Sequence, residues 1–390
     1  MINPRGELMV NVKIIAVVAA VLIVVCGAAA AVTLFSGEKK GLYQLDATVT
    51  EVNMARCSAT PGVILAIEQL YRDYYGEILY DFTLEEAKAD TKFWNEYGKW
   101  DPIVTKKTNG TLDVKISTAY MDKLKTTDIK NIPVCDTAVI VGTIHSETIY
   151  FLACTANDVV PYSEESFAST EIKEYMNKTI TGGMQYSYFE NNDIEHMVKY
   201  IEKNRYHEIG ANTTPTVETE RLLNALENSK TKGVKNTIFL GSGARVDSKD
   251  MYDRFFKSCE VTSSYCALFS PNTIPEIYST IECIGLILGF DRETIDEVIQ
   301  DIQVRLYNIY RSVQELTKEE APGKVYLETY AGKAASSAMY KVIFDLLGFD
   351  TSLLDGAEHD IESLLKDQPS YIVFFTNDYR SMDEKMRTKT

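Results

Sequence analysis

Apolar residues recur along GFDRETIDEVIQDIQVRLYNIYRSV (289–313) at alternating spacings of four and three: Ile295, Ile299, Ile302, Leu306, Ile309 and Val313. That is one face of a long, unbroken helix. A shorter helix precedes it on Ile277, Ile281, Ile284 and Leu288, with Gly289 placed for its C-terminal cap and Asp291 for the N-cap of the long one. The long helix is expected to cover about 24 residues, roughly 36 Å at about 1.5 Å per residue.

The pattern on either side is shorter and alternates. TAVIVGT (137–143) reads as a buried strand, HSETIYFLACTA as a short helix and DVVPYS (158–163) as a further strand. DIEHMVKYIEK (193–203) and TVETERLLNALEN (216–228) are amphipathic helices, NTIFLGSG (236–243) is a strand, DMYDRFFKSC is helical, and YCALF (265–269) is a strand. GGMQYSYFENN (182–192), with its Gly-Gly pair, reads as a loop. After the long helix the alternation resumes with a strand at GKVYLETY (323–330), helices at SAMYKVIFDLLGF and DIESLLKDQ, and a strand at SYIVFFTND (370–378). Strands that alternate with helices argue for parallel sheets with helices on their faces, and ligands then bind beyond the carboxyl ends of the strands. In the first lobe those ends are Thr143–His145, Tyr162–Ser163 and Gly241–Arg245.

A weak internal repeat divides the alternation in two. IFLGSGARVDSKDM (238–251) resembles VFFTNDYRSMDEKM (373–386), each with an apolar strand, then Arg245 or Arg380, then Met251 or Met386 six positions later. The expectation is two lobes with a sheet each, the long helix as a stiff spacer and a cleft between them. Residues 1–40 form a membrane anchor or signal segment with its linker. Residues 41–134 are an extra α+β region, with a helix in PGVILAIEQLYRDYYGEIL and a strand in GTLDVKIST. Residues 135–273 are the first α/β lobe, 274–316 the helical linker and 317–390 a short second α/β lobe.

The N-terminal segment changes the compartment. IIAVVAAVLIVVCGAAAAVTLF (14–35) carries no charge and is long enough to cross a bilayer. Two readings stand: an uncleaved transmembrane helix, or a secretory signal cut near the alanines at 28–31. Both place residues 41–390 on the extracytoplasmic face. Val25 before Cys26 argues against a lipidated cysteine, where a small residue is needed. Three sequons, at Asn109, Asn177 and Asn212, suit that side of the membrane. Six cysteines follow the apolar segment (Cys57, Cys135, Cys154, Cys259, Cys266 and Cys283), and in an oxidising compartment some are expected to pair. The net charge of −16 excludes a nucleic-acid surface, which must be basic.

Four segments resemble a known family, the substrate-binding proteins of cobalamin and iron-complex (siderophore, haem) ABC importers. They are TAVIVGTIHSETIYFLACTANDVVPYS, CALFSPNTIPEIYSTIECIGLILGFDRETIDEVIQDIQVRLYNI, GKVYLETYAGKAASSAMYKVIFDLLGF and HDIESLLKDQPSYIVFF, within residues 135–378. The resemblance implies two Rossmann-like lobes joined by one long helix, a metal-chelate ligand and an ABC importer permease as partner. Residues 43–134 have no counterpart in it, and the chain ends soon after YIVFF, where the family usually continues. It also implies one acidic docking residue on each lobe. Glu362 matches on the second, and Glu220 and Glu195 compete on the first, with Glu220 preferred because its helix leads directly into a strand.

Candidate ligand contacts follow from the strand ends. Arg245 and Arg380 could grip chelate carboxylates through bidentate forks. Tyr162, Tyr186, Tyr188, Tyr330 and Tyr379 could line a site for a flat macrocycle or aromatic chelator, although each on its own is better explained by packing than by ligand contact. His145, at a strand end, is a further candidate beside the plainer reading of a polar loop residue. No histidine has metal-ligand spacing, and no metal or cofactor site is read. GSGARV lacks the third glycine of a nucleotide fingerprint, GKAASS lacks the upstream glycine of a P-loop, and no G-x-S-x-G is present. The expectation is a binding protein. The alternative is an exported chelatase-like or hydrolytic enzyme on a related two-lobe scaffold, with His145 and Glu147 as the reacting group.

Overall fold

The computed structural model describes residues 12–16, 47–51, 59–115, 129–141, 143–184, 219–230, 234–242, 249–269, 271–318, 321–328, 334, 338–359, 366–367 and 369–374. Strands β1 (Val12–Ala16) and β2 (Ala47–Glu51) come first. Helices α1 (Val63–Tyr75) and α2 (Leu84–Ala89) follow, then the single turn α3 (Thr91–Phe93), which runs into a π-helical turn at Trp94–Gly98. Three short strands come next: β3 (Val104–Lys106), β4 (Leu112–Val114) and β5 (Ile129–Ile132). Then follow β6 (Thr137–Val141), α4 (Thr143–Thr155), α5 (Glu164–Ala168), α6 (Thr170–Thr179) and β7 (Ile180–Met184). The alternation continues through α7 (Thr219–Ser229), β8 (Thr237–Ser242), α8 (Lys249–Val261) and β9 (Tyr265–Phe269). Helices α9 (Ile274–Ile287) and α10 (Arg292–Leu316) lead to β10 (Val325–Glu328), α11 (Ala338–Leu346) and β11 (Tyr371–Phe374).

Contacts divide the chain into two units. One comprises Ser58–Gly62 and Phe82–Arg305; the other comprises Met1–Cys57, Val63–Asp81 and Leu306–Thr390. Helix α10 belongs to the first as far as Arg305 and to the second from Leu306. All six of its periodic apolar residues are buried. Asp291 caps it as expected, its Oδ1 accepting from the Thr294 N–H at 2.7 Å. Gly289 has φ +80°, the left-handed conformation that closes the end of α9 at no steric cost to glycine.

In the first unit the sheet order is β7-β6-β8-β9, all parallel. The connections run outward in opposite directions from β6 and β8, so the topological switch point lies between those two strands. Val139, Phe239, Cys266 and Leu268 pack with Leu222, Ala225 and Leu226 of α7 and Phe255 and Cys259 of α8. A separate antiparallel sheet, β3-β4-β5, pairs Val104 with Val114 and Leu112 with Ile132. The second unit carries the parallel sheet β10-β11-β1-β2. Helix α1 packs within this unit: the Tyr74 ring lies 4.8 Å from Phe349 and 5.3 Å from Tyr371, and the Tyr75 hydroxyl donates to the Leu347 carbonyl at 2.6 Å. The region before the first lobe therefore divides, with Val63–Asp81 in one unit and Phe82 onward in the other.

Three expectations need correction. Residues 158–163 are a turn and not a strand, because Asp158 and Tyr162 take positive φ (55° and 61°) and Pro161 cannot donate to a ladder. Gly182–Met184, read as loop, belong to β7, where the parallel partner β6 supplies the hydrogen bonds that the glycines give no sign of in sequence. No disulfide is present among the described residues. Cys135, Cys154, Cys259, Cys266 and Cys283 are buried free thiols that pack as small apolar groups. Cys26 and Cys57 lie outside the described residues.

Of the apolar segment 14–35, residues 14–16 lie in β1 and 17–35 are outside the described residues. Among the described residues no helix is long and apolar enough to cross a membrane.

Candidate functional site

The first unit brings β6 straight into α4 at the carboxyl end of the sheet, beside the switch point. Helix α4 is buried along nearly its whole length. Its first two turns nevertheless carry the block His145, Ser146, Glu147 and Thr148, each at most 1% exposed. Buried polar groups in a row must be partnered or must carry a cost. Thr148 returns its hydroxyl to the Ile144 carbonyl at 2.6 Å.

Glu147 is held from two directions. Its Oε1 accepts from the Tyr162 hydroxyl, and its Oε2 accepts from the Gly62 N–H at 3.3 Å. A Cβ at position 62 would collide with this carboxylate, so with any other residue there the Glu147 side chain would have to shift.

Tyr162 is half-buried with φ 61°. A non-glycine residue in that region costs about 1–3 kcal/mol, which its contacts must offset. Its N–H donates to the Tyr150 hydroxyl at 3.1 Å, and Tyr150 in turn shares a 2.8 Å hydrogen bond with Ser166 Oγ. The Tyr162 ring sits edge-on to Tyr150, Phe151 and Phe167 at 5.3, 5.9 and 6.3 Å. The turn at 158–163 thus folds this tyrosine back over α4.

His145 is fully buried, its ring edge-on to Phe269 at 5.8 Å. Neither ring nitrogen has a hydrogen-bond partner among the described residues, although the Gly241 backbone lies close enough to favour the protonated ring slightly. Burial dominates and pushes its pKa down to about 3, so the imidazole is neutral at physiological pH. Such a ring has no proton to give as a general acid near neutrality.

The structure therefore brings His145, Glu147 and Tyr162 to the same end of the sheet. Glu220 lies in the first turn of α7, exposed to solvent. Tyr186, Tyr188, Glu195, Arg245, Tyr330, Glu362, Tyr379 and Arg380 lie outside the described residues. Among the described residues no group of three or more His, Cys, Asp or Glu side chains could hold a metal ion. Gly62 was read from sequence only as part of a helix start. Its role depends on a residue 85 positions away, and no local signal reveals it.

No family model matches the chain, and no curated protein matches it. Solved structures similar to it include three of solute-binding proteins. The iron uptake ABC transporter substrate-binding protein PiuA from Streptococcus pneumoniae Canada MDR_19A aligns with a TM-score of 0.44 and 11% identity, over 70% of this chain and 78% of that one. The periplasmic solute binding protein from Veillonella parvula DSM 2008 gives 0.43 and 12%, over 64% of this chain and 66% of that one. The ABC transporter solute binding protein from Sulfurospirillum deleyianum DSM 6946 gives 0.36 and 14%, over 68% and 74%.

Proposed function

We propose that this chain is an extracytoplasmic solute-binding protein that delivers a metal chelate (an iron-siderophore, haem or corrinoid) to an ABC importer. The observation that carries this reading is the course of α10: one helix of 25 residues passes from a unit with its own parallel sheet into a second unit with another. The cargo class and the importer come from the resemblance of the four sequence segments. The apolar segment at 14–35 holds the chain at the membrane, as an anchor or as a signal before cleavage, and its residues 14–16, paired here in β1, then leave the sheet β10-β11-β1-β2.

The first lobe offers cargo contacts from His145, Tyr162, Tyr186, Tyr188 and Arg245, and the second from Tyr330, Tyr379 and Arg380. Glu220, with Glu195 as its rival, and Glu362 dock the permease. The exposure of Glu220 supports a docking role, since a side chain that meets a partner must reach solvent first. Tyr162 is committed to packing on α4 and His145 is buried against Phe269, so contact of either with cargo requires its surroundings to rearrange.

The test is native mass spectrometry and thermal shift on the full chain, held in detergent, with cobalamin, cobinamide, haem and several ferric siderophores. One ligand that binds tightly and raises the Tm supports the reading and names the cargo, because a ligand of the folded state alone must stabilise it. Silence across the panel, repeated on a chain with any further C-terminal residues, removes the chelate reading.

A further inference from the structure

The β3–β4 hairpin ends in Lys107-Thr108-Asn109-Gly110-Thr111, and this tip is shaped around one side chain. The Gly110 N–H donates to the Lys107 carbonyl at 3.0 Å, the Lys107 N–H donates to the Thr111 carbonyl at 2.8 Å, and Gly110 takes φ +84°. Asn109 is exposed, and its Oδ1 accepts from the Thr111 N–H at 3.1 Å and from the Thr111 hydroxyl at 2.8 Å. Among the described residues nothing lies within 4 Å of the position a Cβ would take at Gly110, so the turn is uncrowded beside Asn109. The Asn-x-Thr triplet is thus presented in a turn, with the hydroxyl two residues on already bonded to the asparagine carboxamide.

The second described sequon is the opposite case. Asn177 lies inside α6, half-buried, and Thr179 of the same triplet is only 4% exposed. A helix holds residues i and i+2 on different faces, so this hydroxyl cannot meet its asparagine as Thr111 meets Asn109. Asn212 is outside the described residues.

We propose that Asn109 is an N-glycosylation site, modified on the extracytoplasmic side by an oligosaccharyltransferase that uses a lipid-linked oligosaccharide as donor. The Asn109 Nδ2 forms a bond to C1 of the first sugar and loses a proton, while the bond from C1 to the lipid phosphate oxygen breaks and the lipid phosphate leaves. The inference rests on the extracytoplasmic placement proposed above. The Lys107–Thr111 tip then carries a saccharide, and the outer end of this hairpin is closed to protein partners.

The test is made on the full chain, purified from the cells that naturally produce it and mapped by peptide mass spectrometry, with external protease added to intact cells in parallel. The expected result is a glycopeptide at Asn109 and an unmodified peptide at Asn177. Asn109→Gln and Thr111→Ala abolish the glycopeptide, and Thr111→Ser retains it. An unmodified Asn109 on a chain that external protease reaches overturns this proposal and leaves the localisation standing. An unmodified Asn109 on a chain that the protease cannot reach overturns both. A glycan at Asn109 that persists in Thr111→Ala overturns the assigned role of the hydroxyl.

Discussion

The Glu282 carboxylate of α9 accepts from the Arg292 guanidinium at the start of α10 and, through its other oxygen, from the Trp100 indole N–H at 3.1 Å. The carboxylate side chain is only 7% exposed, whereas Arg292 is half-exposed and also pairs with Asp296 at 2.8 Å. One buried charge thereby ties the segment after the π-helical turn to two helices. Arg292→Ala should lower the stability of the fold by about 1–3 kcal/mol, less than for a fully buried pair because one partner is half in water. Glu282→Gln, which keeps an acceptor for Trp100, should cost less than Glu282→Ala. Urea unfolding midpoints measure both, and an Arg292→Ala midpoint equal to that of the parent would show that the pair contributes nothing.

The buried His145 makes a pH prediction with a definite sign. Its folded pKa lies at about 3, against 6.5 for the unperturbed ring. Below pH 6.5 the unfolded chain takes up a proton that the fold refuses, so stability falls as the pH falls. The contribution is fully present above pH 6.5 and is lost toward pH 3. The slope is about 1.4 kcal/mol per pH unit, which amounts to about 2 kcal/mol at pH 5. His145→Leu should remove this component from a stability–pH curve. Parallel curves for the two proteins would mean that the ring titrates alike in both states.

The Tyr162 hydroxyl is one of the donors to a carboxylate that is 1% exposed. Tyr162→Phe takes that donor away and should cost about 1–3 kcal/mol. Glu147→Gln keeps an acceptor at the same place, and the double variant should cost less than the two single losses added together. Strict additivity in chemical denaturation would separate the two side chains energetically.

Five thiols should be silent in the folded protein. Burial pushes the Cys135 and Cys154 thiols up to about 12, and Cys266 and Cys283 are raised as well, first by burial and then by their neighbours Cys259 and Glu282. A thiol is inert to alkylation when it is both protonated and enclosed. Iodoacetamide labelling mapped by peptide should miss Cys135, Cys154, Cys259, Cys266 and Cys283 in native buffer and find all five in denaturant. A disulfide between any two of them would contradict the packing described.

Local physics was legible where the chain decides it locally. The four–three spacing of α10, the cap at Asp291 and the turn at Gly289 all depend on residues within a few positions, and the helix Arg292–Leu316 follows from them. YCALF is apolar enough to be a strand wherever it packs, and β9 has the bounds that its pattern gave. DVVPYS misled because β-branched residues favour a strand while the left-handed turns at Asp158 and Tyr162 are stabilised by contacts to α4. ITGGM was missed because glycine carries no strand signal of its own.

By itself the sequence determined the alternation of helices with strands and the long helix. Only the tertiary structure decided that Thr137 pairs with Thr237, that Val63–Asp81 joins the unit of the C-terminal half, and that Glu147 meets Gly62 and Tyr162. The physical reason is the range of the interactions. Helix periods and caps act between near neighbours and leave a mark in any short window of sequence. Parallel pairing and the burial of a carboxylate join residues separated by tens to hundreds of positions, and no window contains both partners.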